Sequence, residues 1–116
     1  METKPATWPQ RFELTTCPAA KIEKKIPPTA LGVAVIYAES ATGETIFLVI
    51  ESRARPLLAE CLRRLQTAKL PPLATLTVSF QATVLPESTP EAIHTACREQ
   101  VILASELRRE LRPAMR

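Results

Sequence analysis

The side chains able to do chemistry are few, and their spacing does not combine them. His94 is the single histidine, and the three cysteines, Cys17, Cys61 and Cys97, have no C-x-x-C spacing, so an ordinary zinc cluster cannot be assembled. The thiols are expected to be reduced and mostly buried. There is no Ser-His-Asp spacing, and two glycines are too few for a phosphate-cradling loop. Glu99 is a lone carboxylate, and one carboxylate cannot make a nucleophile, hold a phosphate and offset leaving-group charge together. Arg53 and Arg55 are of the type that meets phosphates, but they read more simply as loop charges that keep a hairpin end soluble. The expectation is therefore no catalytic residue, no metal, no cofactor and no enzymatic activity.

Length and composition set the frame for whatever else the chain does. A chain of 116 residues with 46% hydrophobic and 23% charged residues fits one core and no second domain. No run approaches the roughly 18 consecutive apolar residues of a membrane span, and the first residues lack the apolar stretch of a secretory signal. As written, the chain is expected to be cytoplasmic, or periplasmic if it is cut from an anchored parent. The net charge of +3 permits an acidic partner without specifying one.

The elements that must position any site are legible from periodicity. Residues 32–39 and 45–51 are rich in Val, Ile, Phe and Tyr and are joined by Ser40-Ala41-Thr42-Gly43, which predicts a hairpin. Both arms are apolar on both faces, so each face needs cover, and two later helices are the candidates. Pro56 suits a first helical position, and Leu57, Leu58, Cys61, Leu62 and Leu65 then share one side of a helix over about 56–69, ended by Pro71 and Pro72. Over 74–84 the alternation is clean. Leu76, Val78, Phe80, Ala82 and Val84 form the inward set, while Thr75, Thr77, Ser79, Gln81 and Thr83 form the outward one. A last helix over about 90–112 starts at Ser88, with Glu91 completing a capping box, or at Thr89 before Pro90. Ile93, Cys97, Gln100, Ala104, Leu107 and Leu111 form its seam. Before all this, 1–28 is proline-rich and reads as an extended arm tethered by Trp8 and Phe12, with FELTT able to add an edge strand that Pro18 ends. Lys21, Lys24 and Lys25 read as a solvated linker.

Over about 26–84 these residues resemble the C-terminal domain of TonB and relatives such as TolA. Gly32, Val33, Val35 and Gly43 with the exit Val49-Ile50-Glu51-Ser52 resemble that family's opening hairpin. Pro56, Leu58, Leu62, Lys69, Leu70, Pro71 and Pro72 resemble its helix and paired prolines, and 76–80 its third strand. Ile26-Pro27-Pro28 replaces a tyrosine-proline lead, and Ala59 stands near the family's helix aspartate. The family's membrane anchor and spacer are missing from the sequence, and the helix over 90–112 has no counterpart in that domain. The same element order also resembles a GIY-YIG nuclease domain, with Glu99 standing for the metal-binding glutamate. There, however, Ala34 and Leu48 replace tyrosines, Ile50 a glycine, and Cys61 an arginine.

The resemblance to TonB implies an α+β fold. It would have a small three-stranded, mainly antiparallel sheet, order β-β-α-β-α, divided as an arm (1–28), a TonB-like domain (29–86) and a long helix (87–116). It further implies a module that binds a peptide or protein by adding it as a strand at the sheet edge 74–84, with Thr75, Thr77, Ser79, Gln81 and Thr83 facing the partner. The covering of that edge by the arm or by a second copy is the competing expectation. A dimerising subunit of a larger assembly and a lapsed nuclease domain that binds DNA are the alternatives; homo-oligomerisation stays open, and nucleic acid is not expected as a partner. Because base, cation and metal terms are commonly worth about two to four orders of magnitude each, incubation of duplex DNA with Mg²⁺ or Mn²⁺ is expected to give no cleavage. Metal-dependent nicking that disappears in Glu99→Ala would show otherwise.

Overall fold

The computed structural model describes residues 7–41, 43–52, 55–85 and 89–114. Its centre is a strand, β2 (Leu31–Ser40), that has no exposed face: Val33, Ala34, Val35, Ile36 and Tyr37 are all buried. Such a strand can only be internal, with neighbours on both edges and a layer on each side. On one edge it pairs antiparallel with β3 (Gly43–Glu51), where the register slips by one residue at Ile36/Tyr37. Gly43 closes the turn at φ 130°, a conformation that side chains rarely adopt. Thr42 of the turn lies outside the described residues.

On its other edge β2 pairs antiparallel with β4 (Thr77–Thr83). A fourth strand, β1 (Thr15–Pro18), then pairs antiparallel with β4, Thr15 opposite Phe80 and Pro18 opposite Thr77, giving the order β1-β4-β2-β3. The sheet thus has four strands rather than three, and the expected edge strand is internal over 77–80. The fourth strand overlaps the expected FELTT stretch only at Thr15 and Thr16 and continues through Cys17 to Pro18. Elsewhere the described part of the arm makes single helical turns, α1 (Trp8–Arg11) and α2 (Ile22–Lys25), rather than an extended run, and the arm buries Trp8, Cys17, Ala19, Ile22 and Ile26. Ile22 sits among lysines that read as linker, yet it is 1% exposed. Freeing Trp8, Ile22 and Ile26 alone would cost on the order of 6 kcal/mol, so the arm stays in place.

Strand parity divides the interior in two. Ala34, Ile36, Leu48, Ile50, Val78 and Phe80 face α3 (Leu57–Thr67), whose Leu57, Leu58 and Cys61 complete that core. Val33, Val35, Tyr37 and Val49 face the opposite way, onto Trp8 and the long α4 (Pro90–Leu111). Helix α4 begins with Pro90 in its first turn, and Thr89 Oγ1 accepts from the Ala92 N–H at 3.2 Å. Ser88, the other expected cap, lies outside the described residues. Of the expected seam, Gln100, Ala104 and Leu107 are buried, whereas Ile93 remains 39% exposed because the first turns of α4 are not fully covered.

The cysteines follow this layering. Burial pushes the Cys61 thiol up to about 12, with nearby Glu60 and Cys17 adding to the effect, and burial likewise raises Cys17 against the pull of Lys25. Only Cys97 is half-exposed. A thiol reagent at neutral pH is expected to label Cys97 readily and to reach Cys17 and Cys61 only in denaturant. Mass spectrometry of the labelled protein reads this directly, and prompt modification of Cys61 in the native state would refute the layering.

Candidate functional site

Which sheet edges remain available is decided by backbone parity. The Ala19 N–H donates to the Leu76 carbonyl at 3.0 Å on the β1 side. Even-numbered residues of β4 therefore direct their N–H and C=O toward β1, and odd-numbered ones toward β2. Pro18 opposite Thr77 fits this assignment, because that pair needs no N–H from proline. The β1 register stops at Thr15 opposite Phe80. Before it, Glu13 takes a left-handed conformation at φ 57° and turns the chain off the sheet. The outward N–H and C=O of Ala82 are thus offered no partner by β1.

The other edges differ: β3 has two of its outward carbonyls taken, and β1 is short. On β3, the outward Ile46 carbonyl accepts from the Ala114 N–H at 3.0 Å, and the outward Val49 carbonyl accepts from Arg108 Nη2 at 3.1 Å. Arg108 also reaches the Glu51 carboxylate at 3.5 Å. Strand β1 is four residues long and ends in proline, a poor template for further pairing.

Beside the free end of β4 opens a groove of about 450 Å³, walled on one side by Gln81, Thr83 and Leu85 and on the other by the first turns of α4. Helical spacing places Glu91, Thr95 and Glu99 in one row along the groove and Ala92, Ala96 and Gln100 in the next. Gln100 is only 7% exposed and closes one end. Its amide nitrogen donates to the Ser52 carbonyl at 3.0 Å and to Ser52 Oγ at 2.6 Å, while its amide oxygen accepts from the Gly32 N–H at 3.3 Å. Gly32 N–H also donates to Ser52 Oγ at 2.9 Å, and the Ser52 N–H donates to the Gly32 carbonyl at 3.0 Å. This knot pins α4 to the open end of the hairpin. Periodicity places Gln100 within the otherwise apolar seam of α4, and a buried amide in such a seam is itself the signal of a partner elsewhere.

The five residues expected to face a partner are separated by the fold. Gln81 and Thr83 are exposed and line the groove. Thr77 is half-buried, opposite Pro18 of β1, and Thr75 belongs to a 3-10 turn, Leu73–Thr75, that precedes the strand. Ser79 is the plain correction: expected outside, it is 0% exposed. Its hydroxyl lies 2.7 Å from Thr16 Oγ1 and 2.9 Å from the Tyr37 hydroxyl, and Trp8 stacks edge-on against Tyr37 at 4.9 Å. Alternation identified its face correctly, but that face is covered by the arm.

The positions that matter to the nuclease resemblance also fall apart. Ala34, Leu48, Ile50 and Cys61 are buried in the α3 core, while Glu99 is exposed on the α4 side. Arg55 is exposed, and Arg53 lies outside the described residues. No group of His, Cys, Asp or Glu suited to holding a metal exists among the described residues. No described helix is long and apolar enough to cross a membrane. Comparison with protein-family models, with curated proteins and with solved structures yields no match.

The groove depends on close approach of β2 to β4 at Gly32. A Cβ there would lie 1.8 Å from the Gln81 carbonyl oxygen, so a backbone shift is unavoidable. Gly32→Ala is expected to lower stability by about 2–3 kcal/mol. A denaturant midpoint equal to that of the parent would contradict this packing.

Proposed function

We propose that this chain is a protein-interaction module, similar in plan to the TonB C-terminal domain, that takes up an extended segment of a partner as an added strand beside the end of β4. The observation that carries the reading is that β4 outlasts β1. Ala82 turns its hydrogen-bonding groups to an open edge, and a groove lies next to it. The sequence of hairpin, helix, paired prolines and strand supports the family likeness. Exposed Gln81 and Thr83, rather than Thr75, Thr77 or Ser79, are the residues that meet the partner on the α4 side.

A second reading is a subunit that self-associates through α4, favoured by the exposed Ile93, Val101 and Ile102. A light-scattering mass of one chain would remove it.

Proline separates the edges. Ala82→Pro deletes an N–H that faces the open edge, so it is expected to retain the fold and lose partner capture by at least tenfold. Thr83→Pro deletes an N–H in the β2 ladder and is expected to cost about 1–3 kcal/mol of stability. Pull-downs from the source cell with parent and Ala82→Pro, with circular dichroism of each variant, make the comparison. A folded Ala82→Pro that captures the same proteins as the parent would place the interface elsewhere.

A further inference from the structure

We infer that the groove selects an extended segment carrying a lysine or arginine on the side chain that points toward α4; this rests on the strand-addition reading and adds the chemistry of the partner. The charged side chains among the groove's described lining residues are Glu91 and Glu99, and no lysine, arginine or histidine lies among them. This local sign opposes that of the whole chain, which carries +3. Both carboxylates stand on one row of α4, two helical turns apart, facing the strand edge across the groove.

Geometry favours one occupant. A strand added beside β4 lies about 4.8 Å from it and points alternate side chains to the same face as Gln81 and Thr83, the face that looks onto α4. Its backbone binds to the outward groups of Ala82, and a long cationic side chain on that face spans the groove toward Glu99 or Glu91. Apolar neighbours rest on Leu31, Leu85 and Ala96. Phosphate backbones are repelled by the same two carboxylates, which makes a protein segment rather than a nucleic acid the fitting partner. The carboxylates are exposed, so their contribution is modest and screened by salt.

The test uses three peptides of alternating valine and threonine, each fused to a soluble carrier, with lysine, glutamine or glutamate at one central position. Titrated into the full chain at low salt, the lysine peptide is expected to bind about three- to tenfold more tightly than the glutamate peptide, with glutamine between. The preference should collapse in about 0.5 M salt and in the double variant Glu91→Gln, Glu99→Gln, which should still bind all three. Equal binding of the three peptides by the parent overturns the basic-segment inference and leaves strand addition standing. A lysine preference that survives the double substitution also overturns it, since the selecting charge would then lie elsewhere. Failure of every peptide to bind overturns strand addition and this inference with it.

Discussion

The constraint on which the molecule depends is the burial of β2 on both faces. Five successive residues, Val33 to Tyr37, are at most 1% exposed, and each large apolar side chain among them contributes about 1.5–3 kcal/mol only if it stays covered. A strand of this kind requires a partner on each edge and a layer on each side. Strands β3 and β4 supply the edges; α3 supplies one layer, and α4 with Trp8 supplies the other. Gly32 admits β4 at a distance that any side chain would block, and Gln100 ties the second layer to the start of the strand at Gly32 and to Ser52.

The arm completes this arrangement by solving the edge problem that it leaves. Strand β4 would otherwise present a long row of unpaired backbone groups, an invitation to indiscriminate pairing. Strand β1 closes the central part, and Pro18 limits further growth. The buried hydroxyls of Ser79 and Tyr37 are satisfied in the process, with exposed Thr16 meeting Ser79 from the arm, so the covered face loses little by leaving water. Arg108 and Ala114 close carbonyls on the opposite edge. What β1 leaves open on β4 is short, beside Ala82, and it lies next to the groove between β4 and α4. A short opening flanked by side-chain walls suits selective recognition better than a long bare edge, because the walls rather than the shared backbone distinguish partners.

Much of the fold was determined by local sequence. The apolar hairpin, the helix opening at Pro56 and closing before Pro71, the inward row Leu76, Val78 and Phe80, and the Thr89–Pro90 start of α4 all follow from rules acting within a few residues. They are recovered with boundaries that differ by at most three residues. Glu99, Gln81 and Thr83 could be named as surface residues for the same reason. Local rules also identified FELTT as a strand candidate.

Tertiary structure decided what those elements were next to, and with it the site. Alternation places Ser79 opposite Val78 on the strand, but whether that side meets water depends on residues 8–18, more than sixty positions away in the chain. Which backbone groups face the free edge was likewise set by the register with β1, because parity has no outside until a neighbour is chosen. Gln100 found its partners in Ser52 and Gly32, a long-range pairing that no periodicity encodes. The sequence by itself determined that a strand near 74–84 would have a polar face; the packed arm determined that only its last residues would show it.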